Sequence, residues 1–500
     1  MGATTHRLGY GSRTAFCFLS LFLGCCGLFC FFPGVFAQTP VFRAGAATVN
    51  ITPKLGSGIV GNFGNPPPAA HIHDELHARC LALDDGTTRL IFVIADNVGI
   101  SQEVFDEAKR FIYKETYTPR EHVLLAAHVL LAANHTHSAV SAGGRGKKRT
   151  GSNEPVELNE YHSFLARRIA DGVRMAINNL EPARIGWGVG RVPQHVFNRR
   201  WKMKSPVLNP FGEKDQARMN PGRLNPDLLE PAGPTDPGVS FISVQSREGR
   251  PLALLANYSL HYVGGVPDNH ISGDYFAAFA DRIQELLKAD RQDPPFVGIM
   301  SNGTSGDVNN IDVKSPEPSY KPYEKIRIVA NDVAQEVLKV YKTVQHKDWV
   351  KLGAAQSELP LQVRKPTKEM IARAERVLTR PDTVKPAHGL EATYARWMLQ
   401  AEERWPDQVD IILQAFRIGD LGIAAIPFEV FAETGLELKA RSPFKPSFTI
   451  ELANGSYGYL PTPEQHQLGG YETWLGSNMV EKQATRKIVA ELLKLFEKIK

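Results

Sequence analysis

The hexapeptide Ala133-Asn134-His135-Thr136-His137-Ser138 carries two imidazoles two residues apart. It follows an apolar run over residues 123–131 that has the look of a buried strand. If that strand continues, positions i and i+2 point to the same side. Two neutral imidazoles converging at a strand end suit a metal ion, for which imidazole is the commonest side-chain ligand. The same spacing suits two polar loop histidines equally well, so the pair needs company. His261 ends the apolar run 254–260, and Glu429 ends the run 423–427. Strand ends of one sheet share an edge, which is where α/β proteins place their sites. Two or three histidines with one carboxylate make a catalytic zinc set with a position open for water. Taken singly, each residue has a plainer reading. A histidine after an apolar strand is more often hydrogen-bonded in a core, and Glu429 suits a helix cap.

The elements that must position these groups alternate irregularly. Strands are expected at 78–83 and 90–95 around the turn Asp84-Asp85-Gly86, and at 183–190, 239–246, 252–260 and 296–300. An edge strand is expected before Pro53, strands at 350–356 and 359–363, and a hairpin over 409–426. Helices are expected at 104–113, 160–180, 274–287, 323–344, 367–378, 391–403 and 482–500. Residues 204–238, rich in Pro, Gly and Asn, read as irregular surface. The class is α/β: a mixed sheet core with hairpins and flanking helices, in a single large catalytic domain over residues 38–500. Residues 122–127 and 128–133 are identical, a tandem copy of His-Val-Leu-Leu-Ala-Ala directly before Asn134. An even insertion keeps the facing of a continued strand; the extra copy either extends the strand or loops out.

Residues 1–37 read as a secretory signal, with Arg7 and Arg13 leading an apolar stretch that ends at Val35-Phe36-Ala37. The other reading is a retained anchor, since about 17–25 apolar residues span a bilayer; Pro33-Gly34 and the cleavage-like site favour removal and a secreted or periplasmic protein. Four of the five cysteines (Cys17, Cys25, Cys26, Cys30) fall inside this leader. The remaining Cys80 leaves no internal disulfide and reads as a buried thiol. The net charge of +5 is close to neutral for 500 residues. It makes no case for nucleic acid, and Arg145 to Arg149 read as a solvated basic loop.

These motifs, in this order, resemble the catalytic domain of the neutral (non-lysosomal) ceramidases. The resemblance runs from Ala44–Pro53 through His73-Asp-Glu-Leu-His-Ala-Arg79, Thr136-His-Ser138, Leu260-His261, Ser272-Gly-Asp274, Gly306-Asp-Val308 and Pro427-Phe-Glu429 to Asn454-Gly-Ser-Tyr-Gly-Tyr459 and Tyr471. It covers essentially the whole chain after the leader. It implies a zinc ion held by His135, His261, Glu429 and Tyr471. It implies that His137, Arg199 and Tyr459 polarise the substrate, which replaces the reading of His137 as a ligand; for Arg199 an ordinary surface arginine is the other reading. The implied activity is hydrolysis of a linear amide in an N-acyl, ceramide-like small molecule or lipid, with peripheral membrane contact. Two departures stand out. The family's proposed serine nucleophile is replaced by Asn309, and the family's C-terminal immunoglobulin-like domain has no counterpart. An asparagine cannot act as that nucleophile, so attack by zinc-bound hydroxide is expected, with Asn309 orienting water or amide. The alternative is a catalytically silent zinc-binding recognition protein of the same fold.

Overall fold

Eight strands make the main sheet: β1 (Arg43–Asn50), β2 (His77–Asp84), β3 (Arg89–Ala95), β4 (Val129–Ala133), β5 (Glu181–Arg191), β6 (Gly238–Ser246), β7 (Pro251–Tyr258) and β8 (Val297–Asn302). Their spatial order is β8-β7-β6-β5-β1-β2-β3-β4. The pairs β7/β8 and β3/β4 are parallel and the others antiparallel. Four more strands, β9 (Leu352–Gln362), β10 (Gln408–Ile418), β11 (Leu421–Ala425) and β12 (Ser447–Ile450), form a second sheet in that order. Its last pair, β11/β12, is also parallel. This computed structural model describes Gly2 and residues 40–61, 64–115, 126–143, 157–289, 293–381 and 383–500. The leader expected over 1–37 (Gly2 apart), the basic loop 145–149 and residues 122–125 of the duplication lie outside the described residues.

The layers follow from how each strand divides its side chains. All of β4 is buried, yet it alternates: Val129, Leu131 and Ala133 join one core, Leu130 and Ala132 another. A strand covered on both faces reads as an unbroken apolar run. On the outer side β1–β4 pack against α1 (Gln102–Glu115) and α2 (Glu160–Asn178), and β6–β8 against α3 (Asp274–Leu286) and α4 (Glu324–Tyr341). Helix α2 starts where the Asn159 side chain accepts the His162 N–H at 2.8 Å, an N-cap. On the inner side Phe92, Leu130, Leu255 and Ile299 meet Phe416, Ile423 and Phe448 of the second sheet. That sheet's far face is closed by α7 (Ala432–Arg441) and α9 (Ala484–Ile499). The result is four layers, helix–sheet–sheet–helix, and the expected mixed α/β class. A hairpin of α5 (Lys368–Leu378) and α6 (Glu391–Arg404) has a small core of its own, and α8 (Pro463–Leu468) is one short turn. Cys80 is fully buried against the helix side, as a structural thiol should be. No helix among the described residues is long and apolar enough to cross a membrane.

Several local expectations change. β1 lies between β5 and β2, not at an edge; Pro53 falls beyond its last residue, Asn50, and removes no ladder donor. Residues 204–238 contain a three-stranded sheet (Arg200–Leu208, Lys214–Met219, Leu228–Pro231). Its register breaks between Lys202 and Val207, where Ser205-Pro206 is accommodated. The two strands expected over 350–363 are one, β9, which tolerates Pro360 because it is an edge strand. The apolar run before the histidines is not one long strand. Ala126–His128 form a 3-10 turn and β4 starts at Val129, so the second copy of the repeat builds the strand.

The main sheet curls. Its opposite edges come together, with β8 touching β3 and β4. The right-handed twist of adjacent strands accumulates in this direction. His135, past the edge strand β4, and His261, past β7 beside the opposite edge, meet for this reason.

Candidate metal centre

Three parallel pairs, β3/β4, β7/β8 and β11/β12, send their carboxyl ends to one place. His135 lies just past β4, His261 just past β7 and Glu429 just past β11. The strand stops at Ala133, and His135 takes a left-handed backbone, φ 75°. Such a conformation costs a non-glycine residue on the order of 1–3 kcal/mol. Two bonds hold it: the His135 N–H donates to Asn97 O at 2.9 Å, and Nδ1 lies 2.6 Å from Val98 O. The expected pleat is therefore absent, and the turn brings the pair together instead. His137 Nε2 lies 3.0 Å from His135 Nε2.

His135 Nε2 is the centre of the cluster. It lies 3.1 Å from His261 Nε2 and 3.3 Å from Glu429 Oε2, which is itself 3.9 Å from His261 Nε2. His135, His137 and His261 form a group able to hold a metal ion. Ligands at about 2.0–2.1 Å around a tetrahedral ion stand roughly 3.3 Å apart, close to these spacings. The tautomers agree. His135 Nδ1 faces Val98 O, and His261 Nδ1 faces Ser305 O at 3.1 Å. Each Nδ1 must donate, which leaves a lone pair on each Nε2. Two lone pairs at 3.1 Å repel unless a proton or a cation lies between them. Burial, followed by the neighbouring His135, holds His137 and His261 well below the ordinary histidine range. Neither of these two rings readily takes a proton of its own, and the donor set fits a cation.

A second group adjoins the first. Glu429 pairs with Tyr459 in a short parallel bridge, and its N–H donates to Gly458 O at 2.9 Å. The Tyr459 ring lies 5.5 Å from the Tyr471 ring, and the Arg199 guanidinium sits 5.2 Å over Tyr459. Arg199 is buried, 5% exposed, so it is not a surface arginine. Its Nε donates to Glu472 Oε1 at 2.9 Å, and Arg200 Nη1 donates to Glu472 Oε2 at 2.6 Å. Burial opposes the Arg199 charge, but Tyr459 and Glu472 outweigh it and hold the guanidinium protonated. Burial pushes the Tyr459 phenol well up against the pull of Arg199, so it keeps its proton.

The motifs behind these groups have plain duties. Asp96 accepts from Arg79 Nη1 at 2.7 Å and from Asn134 Nδ2 at 2.5 Å, bracing the residue before His135. Asp274 accepts the N–H groups of Val263 and Gly264, each at 2.9 Å, and fixes the turn after His261. Asp307 accepts from Ala432 N–H and Asn198 Nδ2, each at 2.8 Å. Burial lifts both carboxyls to about 6 against these donors. Gly306 is required by close approach: a Cβ there would sit 2.5 Å from Glu429 O. Asn309 gives part of its side chain to neighbours. Its Nδ2 donates to Asn220 Oδ1 at 2.7 Å and its Oδ1 accepts the Ile311 N–H at 3.0 Å.

Four contributors carry no signal in spacing. Tyr262 stacks on His137 with centroids 3.9 Å apart and planes 14° apart. Gly61, at φ 121°, closes on the same ring, since a Cβ would lie 2.7 Å from His137 Cγ. Arg200 and Glu472 complete the buried ion triad. The adjacency of Tyr262 to His261 and of Glu472 to Tyr471 is the one hint the sequence holds. A cavity of about 160 Å³ lies elsewhere, lined by Phe211, Met370, Arg373, Val377 and Met398 among others, and none of its lining residues belongs to the cluster.

Comparison with known proteins bears on this arrangement. Residues 42–317 match the family of neutral/alkaline non-lysosomal ceramidases, N-terminal region. The neutral ceramidase from Pseudomonas aeruginosa has a similar fold, with a TM-score of 0.64 and 17% identity over 92% of this chain and 75% of that one. A ceramidase complexed with C2 gives 0.65 and 17% over 91% and 75%.

Proposed function

Because the chain belongs to the neutral/alkaline non-lysosomal ceramidase family, we propose that it is a zinc-dependent hydrolase cleaving the linear amide of a ceramide-like N-acyl compound. His135, His261, Glu429 and Tyr471 would hold the ion. The reading rests on one observation above the rest: two histidines with Nδ1 committed to backbone carbonyls turn their Nε2 lone pairs to each other at 3.1 Å. When bound, zinc would polarise the amide carbonyl and activate the attacking water, so that no protein nucleophile is needed at position 309.

The chain's own groups do the rest. His137, clamped between Tyr262 and Gly61, presents Nε2 to the centre. Tyr459 keeps a phenolic proton to donate, and Arg199 offers a fixed positive charge. Fixed donors aimed at a developing oxyanion are worth about 10²–10³ in rate each. Asn309 keeps one amide hydrogen beyond its bond to Asn220, enough to orient the substrate amide. The nearby hydroxyls are spent elsewhere: Ser301 Oγ donates to Ala256 O at 3.0 Å, and Ser305 Oγ to Glu451 Oε1 at 2.6 Å. Export after removal of residues 1–37, and peripheral contact with the membrane that holds the lipid, complete the proposal.

The test is to express the exported chain, measure bound zinc by mass spectrometry, and assay N-acylsphingosines beside simple N-acyl amides. One zinc per chain and chelator-sensitive release of fatty acid are expected. Zinc without turnover on any N-acyl substrate would favour the recognition protein, the reading that Asn309 supports. An acyl group trapped on Thr304 or Ser305 would sink direct attack by water.

A further inference from the structure

Beyond engaging the Ser305 hydroxyl, Glu451 has no part in the reading above, yet it is fully buried close behind the histidine cluster. It follows β12 directly, and its own N–H donates to Asn302 O at 3.2 Å. Its carboxylate accepts three hydrogen bonds. Oε1 takes the Ser305 hydroxyl at 2.6 Å; Oε2 takes the Val430 N–H at 2.7 Å and the Ser305 N–H at 3.3 Å. These partners matter for where they lead. Ser305 presents both its carbonyl (3.1 Å) and its hydroxyl oxygen (3.3 Å) to His261 Nδ1. Val430 follows Glu429 in the short strand Glu429–Val430, and its carbonyl accepts the Gly306 N–H at 2.8 Å.

One carboxylate thus ties the loop behind His261 to the strand that carries Glu429. We propose that Glu451 is a positioning residue for the metal centre, holding His261 through Ser305 and Glu429 through Val430. The proton directions are consistent. Ser305 donates its hydroxyl proton to Glu451, so its oxygen is left to accept from His261 Nδ1–H. Held from behind by Glu451, that hydroxyl is fixed in place and in turn fixes the His261 ring, as groups hydrogen-bonded behind metal-bound histidines do. A glutamine of the same shape keeps one accepting oxygen and turns amide N–H groups toward donors that the second oxygen now serves. The inference rests on the metal-site reading of the previous subsection.

Zinc affinity, by competition with a chromophoric chelator, and the visible spectrum of the cobalt(II) form test it in the full chain. Glu451→Gln should bind zinc about 10–100-fold more weakly and change the cobalt spectrum, while the metal-free protein melts near the parent. Ser305→Ala should shift affinity in the same direction by less. The double variant should fall short of the sum, because both act on one path. Affinity within about twofold of the parent and an unaltered cobalt spectrum in Glu451→Gln would overturn the proposal, even if melting fell; that result would place Glu451 in the core alone. If Glu451→Gln fails to fold, Ser305→Ala decides on the same criteria. A parent that binds neither zinc nor cobalt overturns the metal-site reading itself, and this inference with it.

Discussion

The centre has two halves built in different ways. The histidine half stands on strand ends of one curled sheet, and its ring nitrogens are aimed by backbone carbonyls: Val98 O for His135, Ser305 O for His261. The arginine–tyrosine half stands on short segments outside that sheet. Arg199 lies between the two-residue strand Phe197–Asn198 and the strand Arg200–Leu208, Tyr459 opens a two-residue strand, and Tyr471 sits in a 3-10 turn. There, side chains aim side chains, through a buried carboxylate shared by two arginines. A backbone carbonyl cannot be deleted by substitution. A buried ion pair can, and breaking one strands the remaining charges. The two halves should therefore fail differently.

The largest effect is expected at the join. His135→Ala removes the nitrogen from which the other donors are spaced, and both bound zinc and turnover should fall to background. Retention of stoichiometric zinc would show that the histidine half is not the metal's seat. Next comes the ion triad. Glu472→Gln leaves Arg199 and Arg200 short of a counter-charge and should cost about 3–5 kcal/mol in urea unfolding. A cost below about 1 kcal/mol would erase the difference between the two halves, since exposed pairs are worth no more. Tyr459→Phe removes one donor from a well-buried site. It should lower kcat by about 10²–10³ with zinc content unchanged; loss of zinc instead would make Tyr459 part of the metal's support. Gly61→Ala forces a methyl group into the His137 ring and a strained backbone. A displaced catalytic group of this kind should reduce kcat about 10-fold with little change in zinc affinity. The smallest effect is expected from removing residues 128–133. The identical copy then precedes Asn134, and stability should stay within about 1 kcal/mol of the parent. Loss of soluble protein together with zinc would mean that both copies are structural.

The same contrast explains what could be read beforehand. β4 and β7 are buried on both faces, so they appear as unbroken apolar runs, and a histidine placed directly after each stands out. Glu429 could be found in the same way after β11. Arg199, Tyr459 and Tyr471 follow no periodic segment, and only the family resemblance picked them out. Glu472 and Glu451 escaped altogether, because a buried carboxylate looks like any other acid until its donors are known. Residues 204–238 hide their strands because the prolines fall at a bulge, in connections or, for Pro231, at the end of an edge strand, where a strand tolerates them. The edge reading of β1 failed because Pro53 marks the end of a strand, not its neighbours.

The curl of the main sheet has a consequence for the order of events in folding. His135 and His261 are 126 residues apart along the chain and belong to opposite flanks of the strand order. Their nitrogens can meet only after every intervening strand has found its register and the flanks have closed on each other. Long-range pairings of this sort form late and slowly. An ion that needs both histidines is consequently blind to half-assembled chains. Capture of the proposed metal would then act as a checkpoint for completed topology, its free energy of binding added only to the finished form.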